Sequence, residues 1–178
     1  MKNKNLPNQL TMLRVVMIPV FIVCLMTGHA VISAVIFAAA AATDALDGHI
    51  ARKYNLISNF GKLMDPLADK LLVVSALVCL VELGEIPAWM VIVILAREFT
   101  ITGLRSVAAS EGVVIAAGFS GKLKTVFQML AILAILLENR LFSLSGIPFA
   151  RIMLWIAVLL TLYSGIEYIV KGRALFTR

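Results

Sequence analysis

All four aspartates of this 178-residue chain lie between positions 44 and 69, as Asp44, Asp47, Asp65 and Asp69. The chain around them is 61% hydrophobic. A carboxylate in the middle of a membrane helix costs about 2.5–3.5 kcal/mol on insertion scales, so carboxylates at such positions are generally functional. Carboxylate oxygens are the ligands that hard divalent cations such as Mg²⁺ and Mn²⁺ prefer, whereas zinc favours softer donors. We therefore predict that these aspartates bind a divalent metal.

The spacing of the aspartates predicts two pairs on two helices. Asp44 and Asp47 are three residues apart and Asp65 and Asp69 are four apart, so each pair shares one face of a helix. We predict that the two helices are antiparallel neighbours, so that Asp47 and Asp65 lie at similar depth and Asp44 and Asp69 lie about one turn deeper. Four bare carboxylates at one point would repel one another strongly at low dielectric, and one or two divalent cations remove that repulsion.

Two glycines and an arginine accompany the aspartates. Glycine inside a helix costs about 1 kcal/mol, and it allows a ligand or another backbone to approach closely, as we expect at Gly48 and Gly61. Arg52 follows Asp44 by eight residues, roughly two helical turns, where it can neutralise a phosphate held by the metal. Metal, arginine and close backbone access together indicate pyrophosphate chemistry.

A structural ion network is the alternative interpretation of the same residues. In that case the aspartates pair with nearby basic side chains and bind no metal. This alternative explains neither the glycines nor the aspartate spacing. The basic residues that it would use are Arg52, Lys53, Lys62 and Lys70.

The elements that position these residues are predicted to be membrane helices. A mean hydropathy of +0.99 with only 15% charged residues lies outside the composition of soluble domains and indicates an integral membrane protein. Six apolar runs carry no charge, but each is shorter than the roughly 20 residues that a helix needs to cross the hydrocarbon core. Every span must therefore include flanking charged residues. The runs are Val15–Met26, Val31–Thr43, Leu71–Val81, Ile86–Ala96, Thr125–Leu137 and Ile152–Gly165.

The basic residues predict the orientation of an all-α integral membrane protein with six transmembrane helices. They concentrate at the amino end, in the second and fourth connections and in the carboxyl-terminal tail, which places both termini in the cytoplasm. We expect one membrane domain over residues 1–178, with a short interfacial turn or helix at Leu6-Pro7-Asn8 before the first span. The net charge of +6 then faces anionic headgroups and substrates, and we expect no nucleic-acid partner. The predicted helices are about Gln9–Thr27, Val31–Tyr54, Ser58–Val81, Ile86–Ala109, Gly118–Glu138 and Pro148–Lys171.

Eight residues at fixed spacing resemble the signature motif of the CDP-alcohol phosphatidyltransferase family. The likeness covers nearly the whole chain, since the chain length, six spans and cytoplasmic charge also suit that family. Residues 7–14, 63–70, 96–98 and 121–125 are similar to bacterial members that act on glycerol 3-phosphate, so we expect a bacterial protein. The motif residues are Asp44, Asp47, Gly48, Ala51, Arg52, Gly61, Asp65 and Asp69.

The resemblance implies a lipid transfer reaction at the cytoplasmic face of the cell membrane. The primary hydroxyl of sn-glycerol 3-phosphate would attack the phosphorus attached to diacylglycerol in CDP-diacylglycerol, and CMP would leave. The family pattern puts Asp44, Asp47 and Asp65 on two Mg²⁺ or Mn²⁺ ions, with Asp69 as general base and ligand of the second ion. It also implies a homodimer. The implied CDP-binding residues are Gly48, Ala51, Arg52, Ser58 and Gly61, with Asn8 and Thr11 on the first span.

The acceptor needs a site for its own phosphate, and the fourth and fifth spans supply cations. Arg97 lies far inside the fourth span, and an arginine at that depth is a functional hypothesis by default. Arg105 and Lys122 are the preferred phosphate ligands. The alternative for Arg97 is a structural ion pair with Glu98 or Glu111. The full set of candidate acceptor-binding cations is Arg105, Lys122, Arg97 and Lys124.

Three other functions share part of this pattern. The nearest is a related phosphatidyltransferase with another acceptor, and the cations favour inositol phosphate over serine or choline in that role. Intramembrane prenyltransferases also bind pyrophosphate through aspartates and metal, but they are larger, with more spans and a different aspartate spacing. Divalent cation carriers commonly have inverted repeats and broken helices, which this sequence lacks, and Arg52 would repel a free cation.

Overall fold

The protein is all-helical in its computed structural model, which describes residues 6–54, 59–112, 118–137 and 148–171. Within these ranges, the side chains of residues 6–11, 44–54, 59–66, 69 and 171 lie outside the description. The described residues form six helices and no strand. The helices are α1 (Leu6–Met26), α2 (Ala30–Tyr54), α3 (Asn59–Glu82), α4 (Ala88–Ser110), α5 (Phe119–Leu137) and α6 (Phe149–Lys171).

The helix boundaries confirm the sequence prediction to within three residues. The largest difference is at α1, where residues 6–8 form the first turn of the helix and not a separate interfacial segment. Pro7 is tolerated there because the amides of a first turn have no partner inside the helix. Helix α4 begins at Ala88, two residues after the predicted Ile86, since Pro87 is extended with φ −73° and ψ 136°.

Two of the described helices are long and apolar enough to cross a membrane, Phe119–Leu137 and Phe149–Val170. Shorter apolar stretches run through Met12–Met26 and Ala30–Thr43. Length and composition therefore favour a membrane association of the described chain.

The distribution of polar and apolar side chains also favours a lipid environment. Val23, Phe99 and Ile166 are 61%, 64% and 64% exposed, and many other large apolar side chains lie on the outside of the helices. Charged and polar groups occur in the interior, where Lys124 is 2% exposed and Thr161 is fully buried. Proteins dissolved in water rarely expose apolar surface on this scale.

The chain divides into two compact units, residues 1–83 and 84–178. In the first unit α1 packs against both α2 and α3, which also contact each other. Helix α1 buries Ile18, Phe21 and Leu25, whose spacing of three and four residues follows one face of a helix. The Phe21 ring lies 5.9 Å from the ring of Phe37 in α2, tilted by 48°.

A tight connection makes α1 and α2 an antiparallel pair. Gly28, just past the end of α1, adopts a φ of 81°, which residues with a side chain rarely adopt. The Gly28 amide donates to the Leu25 carbonyl at 3.0 Å, and the His29 amide donates to the Cys24 carbonyl at 2.9 Å. These are the two hydrogen bonds of a Schellman motif, which ends a helix.

In the second unit, α6 packs against both α4 and α5. Helix α5 buries Ser120, Lys124 and Gln128, which are four residues apart and share one face. On α6, the buried hydroxyls of Thr161 and Ser164 donate to carbonyls of their own helix at 2.7 and 3.1 Å. Both hydroxyls are therefore satisfied locally. The polar face of α5 meets its partners on other helices, as described below.

Candidate active site

The four aspartates occupy two helices of the first unit. Asp44 and Asp47 lie in the second half of α2, and Asp65 and Asp69 lie in the first half of α3. For these four residues the structure describes the helical backbone and not the side chains. Among the side chains that are described, no group of three or more His, Cys, Asp or Glu is placed to hold a metal ion. The predicted metal site thus stays a prediction.

Both aspartate pairs continue a register that is buried elsewhere on the same helix. In α2, Phe37 and Ala40 are fully buried, and the α2 pair occupies the next positions at four- and three-residue spacing. In α3, Leu72 is 1% exposed and Ala76 is fully buried, and the α3 pair precedes them at the same spacing. On an ideal helix, positions at this spacing fall on one face.

Arg14 of α1 is a buried charged residue that the sequence prediction did not assign to the site. Its side chain is 1% exposed and shares a face with Ile18 and Phe21. Asn8 and Thr11, two of the predicted CDP-binding residues, precede Arg14 at three-residue spacing in the first turns of α1. The sequence carries the signal for Arg14, because one arginine interrupts the apolar face of the helix.

The remaining predicted CDP-binding residues lie around the connection between α2 and α3. Gly48, Ala51 and Arg52 belong to the last turns of α2, and Gly61 belongs to the first turn of α3. Ser58 lies outside the described residues. Because α2 and α3 contact each other, the described motif residues belong to neighbouring helices.

A partly buried ion cluster lies in the second unit. The Glu98 carboxylate accepts a hydrogen bond from Arg97 Nη1 at 2.8 Å and forms a second ion pair with Lys124 Nζ. A charge removed from water requires such a partner. Removal of one partner of a buried ion pair costs about 3–5 kcal/mol, because the other charge is then left unpaired. Arg97 therefore pairs with Glu98, as the structural alternative predicts, and not with Glu111. One carboxylate links α4 to α5.

The guanidinium of Arg97 is satisfied along one edge only. Its side chain is 12% exposed, and Nε and Nη2 are buried without a hydrogen-bond partner in the described part of the chain. A buried donor left unpaired costs roughly 1–3 kcal/mol, and more if it is charged. Two adjacent N–H groups of a guanidinium match two oxygens of a phosphate or carboxylate. The ion pair with Glu98 is therefore compatible with a phosphate contact at the other edge of Arg97.

Two polar contacts join α6 to the start of α5. The Gly118 amide donates to the Tyr168 hydroxyl at 2.6 Å, and the Ser120 hydroxyl donates to the Glu167 carboxylate. The Tyr168 ring also lies 5.4 Å from Cζ of Arg97, within cation–π range. The hydrogen-bond partners are 50 and 47 residues apart, so no local spacing in the sequence identifies these contacts.

The other two predicted acceptor-binding cations are exposed. Arg105 follows Arg97 by eight residues on α4, about 12 Å along the helix axis. Lys122 lies on α5, two residues from Lys124. Within the described chain, neither Arg105 nor Lys122 forms an ion pair. The structure thus brings Arg97 and Lys124 together on one carboxylate and leaves Arg105 and Lys122 open to their surroundings.

A cavity of about 750 Å³ lies near the start of α6, at the opposite end of that helix from Tyr168. Trp89 and Trp155 line it, with ring centroids 5.7 Å apart and a tilt of 57°. Glu85 and Arg151 are the charged residues of its lining. None of the residues that the sequence assigned to chemistry lines this cavity, so we do not place the reaction there.

Comparison with known proteins relates this arrangement to one family. The family model described as CDP-alcohol phosphatidyltransferase matches residues 4–163. A Bacillus subtilis protein named CDP-diacylglycerol–glycerol-3-phosphate 3-phosphatidyltransferase is 47% identical, and the alignment covers 94% of this chain and 95% of that protein. Proteins of the same name from Rickettsia felis and Haemophilus influenzae are each 39% identical, over 93% and 96% of this chain and 94% and 96% of their own length.

Proposed function

Because the chain belongs to the CDP-alcohol phosphatidyltransferase family, we propose that it transfers the phosphatidyl group of CDP-diacylglycerol to sn-glycerol 3-phosphate. The products are phosphatidylglycerophosphate and CMP, which makes the protein a transferase of phospholipid biosynthesis. Relatives named for this reaction share 39–47% identity with the chain. The observation that carries the proposal is that the alignment to each of these relatives covers at least 93% of the chain.

The donor set on α2 and α3 fits hard divalent cations. We propose that Asp44, Asp47, Asp65 and Asp69 hold two ions of Mg²⁺ or Mn²⁺, for which carboxylate oxygens are the preferred ligands. When bound, the ions would polarise the reacting phosphorus and stabilise negative charge on the departing CMP. The register of both aspartate pairs supports this proposal, since it is the register of residues that the first unit buries.

Asp69 is the proposed general base. Its carboxylate accepts the proton of the primary hydroxyl of sn-glycerol 3-phosphate while that oxygen bonds to the phosphorus that carries diacylglycerol. The bond from this phosphorus to the bridging oxygen breaks, and the bridging oxygen leaves with CMP. A positioned carboxylate in this role contributes roughly 10²- to 10⁴-fold to a rate.

The nucleotide is proposed to bind beside the aspartates. Arg52 supplies positive charge to the pyrophosphate, and Gly48 and Gly61 let the ligand approach the backbone of α2 and α3. Asn8 and Thr11 contribute from α1, where they share the register of the buried Arg14. The proposed CDP-binding residues are Asn8, Thr11, Gly48, Ala51, Arg52, Ser58 and Gly61.

The phosphate of the acceptor is proposed to bind cations of α4 and α5. Arg97 offers the edge formed by Nε and Nη2, whose donors lack a hydrogen-bond partner in the described chain. Arg105 and Lys122 add exposed positive charge, and Lys124 acts from within the ion pair with Glu98. A phosphate has oxygens enough for several such contacts, which is why a phosphorylated acceptor suits this set better than serine.

The membrane arrangement is part of the same proposal. The six helices would each span the cell membrane, with both termini and the active site on the cytoplasmic side. Support comes from the two apolar helices and from the apolar side chains exposed around the helices. We further propose that residues 1–178 act as one catalytic domain and that the enzyme is a homodimer.

An acceptor panel tests the proposed function. Purified protein with CDP-diacylglycerol and Mg²⁺ or Mn²⁺ should release CMP when sn-glycerol 3-phosphate is added, and not with serine, inositol 3-phosphate or no acceptor. The cations of α4 and α5 favour a phosphorylated acceptor over serine, and the relatives named for glycerol 3-phosphate favour it over inositol 3-phosphate. Release with inositol 3-phosphate in place of glycerol 3-phosphate would reassign the acceptor. Absence of release with every acceptor would overturn the enzymatic proposal in favour of another role for the carboxylates.

A further inference from the structure

Tyr168 of α6 contacts both the start of α5 and Arg97 of α4. Its hydroxyl accepts a hydrogen bond from the Gly118 amide at 2.6 Å, and its ring lies 5.4 Å from Cζ of Arg97. The Tyr168 side chain is 5% exposed, so it is held within the second unit. One residue of α6 thereby contacts both the residue before α5 and a cation of α4. Tyr168 lies beyond residues 4–163, which the family model matches.

The arginine that Tyr168 contacts is hydrogen-bonded through Nη1 and unpaired at Nε and Nη2. Arg97 Nη1 donates to Glu98 at 2.8 Å, whereas Nε and Nη2 are buried without a hydrogen-bond partner in the described chain. An arginine side chain has many rotamers. Its unpaired donors can bind a phosphate in a defined direction only if the guanidinium plane is fixed. A ring beside that plane restricts it without using any of its N–H donors.

Two glycines lie beside Arg97, and one of them leaves room for its side chain. A Cβ at Gly165 of α6 would lie 3.2 Å from Cγ of Arg97, closer than most such contacts. A Cβ at Gly121 of α5 would lie 3.6 Å from Arg97 Nη2 and 3.6 Å from the Tyr168 hydroxyl. The aliphatic part of Arg97 therefore lies beside Gly165, and its guanidinium lies beside Gly121 and the Tyr168 ring.

We propose that Tyr168 is a positioning residue that fixes the Arg97 guanidinium so that its unpaired Nε and Nη2 donors are oriented for the phosphate of the acceptor. This inference rests on the proposed function, in which Arg97 binds that phosphate. Tyr168 does not touch the reacting atoms. Its role predicts a specific kinetic pattern, in which the KM for glycerol 3-phosphate changes while kcat and the KM for CDP-diacylglycerol do not.

Substitution of Tyr168 by two residues separates the ring from the hydroxyl. Tyr168→Leu removes both, and we expect the KM for glycerol 3-phosphate to rise roughly 3- to 30-fold, as the loss of a cation–π contact predicts. Tyr168→Phe keeps the ring, and we expect its KM to stay within about threefold of the wild-type value. Tyr163→Leu is the matched control, because that tyrosine is on the same helix but 63% exposed.

Gly165→Ala tests the same inference without altering Tyr168. Its methyl group meets Arg97 at Cγ, so we expect the KM for glycerol 3-phosphate to rise here as well. Gly103→Ala on α4 is the control, since a Cβ there meets nothing within 4 Å and the KM should not change. Thermal unfolding of each purified variant shows whether the fold is retained. If Tyr168→Leu does not fold, Tyr168→Met, which also lacks the ring, is measured in its place.

The inference is overturned if a folded Tyr168→Leu enzyme keeps the wild-type KM for glycerol 3-phosphate. It is also overturned if kcat and the KM values of both substrates change together, because that pattern indicates a structural role only. Failure of the proposed function is a separate result, since wild-type protein would then release no CMP with glycerol 3-phosphate. If the wild-type enzyme is active and the Tyr168→Leu variant has the same KM for glycerol 3-phosphate, only this inference is overturned.

Discussion

At the scale of single residues, the second unit sorts its cations into two kinds. Arg97 and Lys124 share the carboxylate of Glu98, so the cluster carries one positive charge more than its negative charge. Arg105 and Lys122 are exposed and form no ion pair within the described chain. We expect the exposed pair to attract and bind the acceptor phosphate, while the cluster supplies one fixed guanidinium edge.

Replacement of the exposed cations tests this division. Arg105→Ala and Lys122→Ala should each raise the KM for glycerol 3-phosphate about 10- to 100-fold, because a hydrogen bond to a charged group contributes roughly 1.5–3 kcal/mol. The KM for CDP-diacylglycerol should change little. Arg151→Ala, an exposed arginine at the cavity near the start of α6, is the control. Unchanged acceptor KM values in both alanine variants would remove these residues from the phosphate site.

The sequence identified these cations as candidates, but it could not predict which of them are buried. Lys122 and Lys124 are two residues apart, which on a helix places them about 200° apart around the axis. Lys122 is exposed, whereas Lys124 is 2% exposed. The difference depends on which face of α5 contacts the neighbouring helices. Likewise, the Tyr168 contact with Gly118 spans 50 residues, so it is invisible to any local pattern.

At the scale of helices, the sequence predicted the elements well because their ends carry local signals. Gly28 ends α1 in a left-handed conformation, and the extended Pro87 precedes α4. The aspartate motif was predictable for the same reason, since its spacing is that of one helix face. The structure adds that this face is buried at Phe37 and Ala40 of α2, which directly precede the first aspartate pair.

The close packing of α2 within the first unit can be tested at an alanine of this face. Ala40 is fully buried, so Ala40→Leu should destabilise the protein by about 1–3 kcal/mol, the usual cost of overpacking a core. Ala39→Leu, at the exposed position before it, should leave the midpoint of thermal unfolding in detergent unchanged. Equal midpoints for the two variants would show that α2 is not closely packed at Ala40.

At the scale of the whole molecule, six helices form two units, and the sequence predicted one of the helix contacts within them. Helices α2 and α3 are neighbours, as the aspartate motif indicated, whereas the other helix contacts were not predicted. Within the second unit, α6 contacts both α4 and α5, and within the first, α1 contacts both α2 and α3. Which helices pair depends on the shapes of their faces, so hydropathy alone does not define it. Hydropathy did predict the apolar side chains on the outside of the helices. Such side chains are stable in contact with lipid, whereas in a water-soluble protein most of them would be buried.

The central claim is that the aspartate motif catalyses transfer of a phosphatidyl group to glycerol 3-phosphate. Its most direct test follows radiolabelled sn-glycerol 3-phosphate into chloroform-extractable lipid, with CDP-diacylglycerol and Mg²⁺ or Mn²⁺ present. The wild-type protein should form labelled lipid and CMP in equal amounts. Asp69→Asn should form none above background, while Glu111→Gln, which changes an exposed carboxylate, should match the wild type. Wild-type label that stays in the aqueous phase, or an Asp69→Asn variant as active as wild type, would contradict the account.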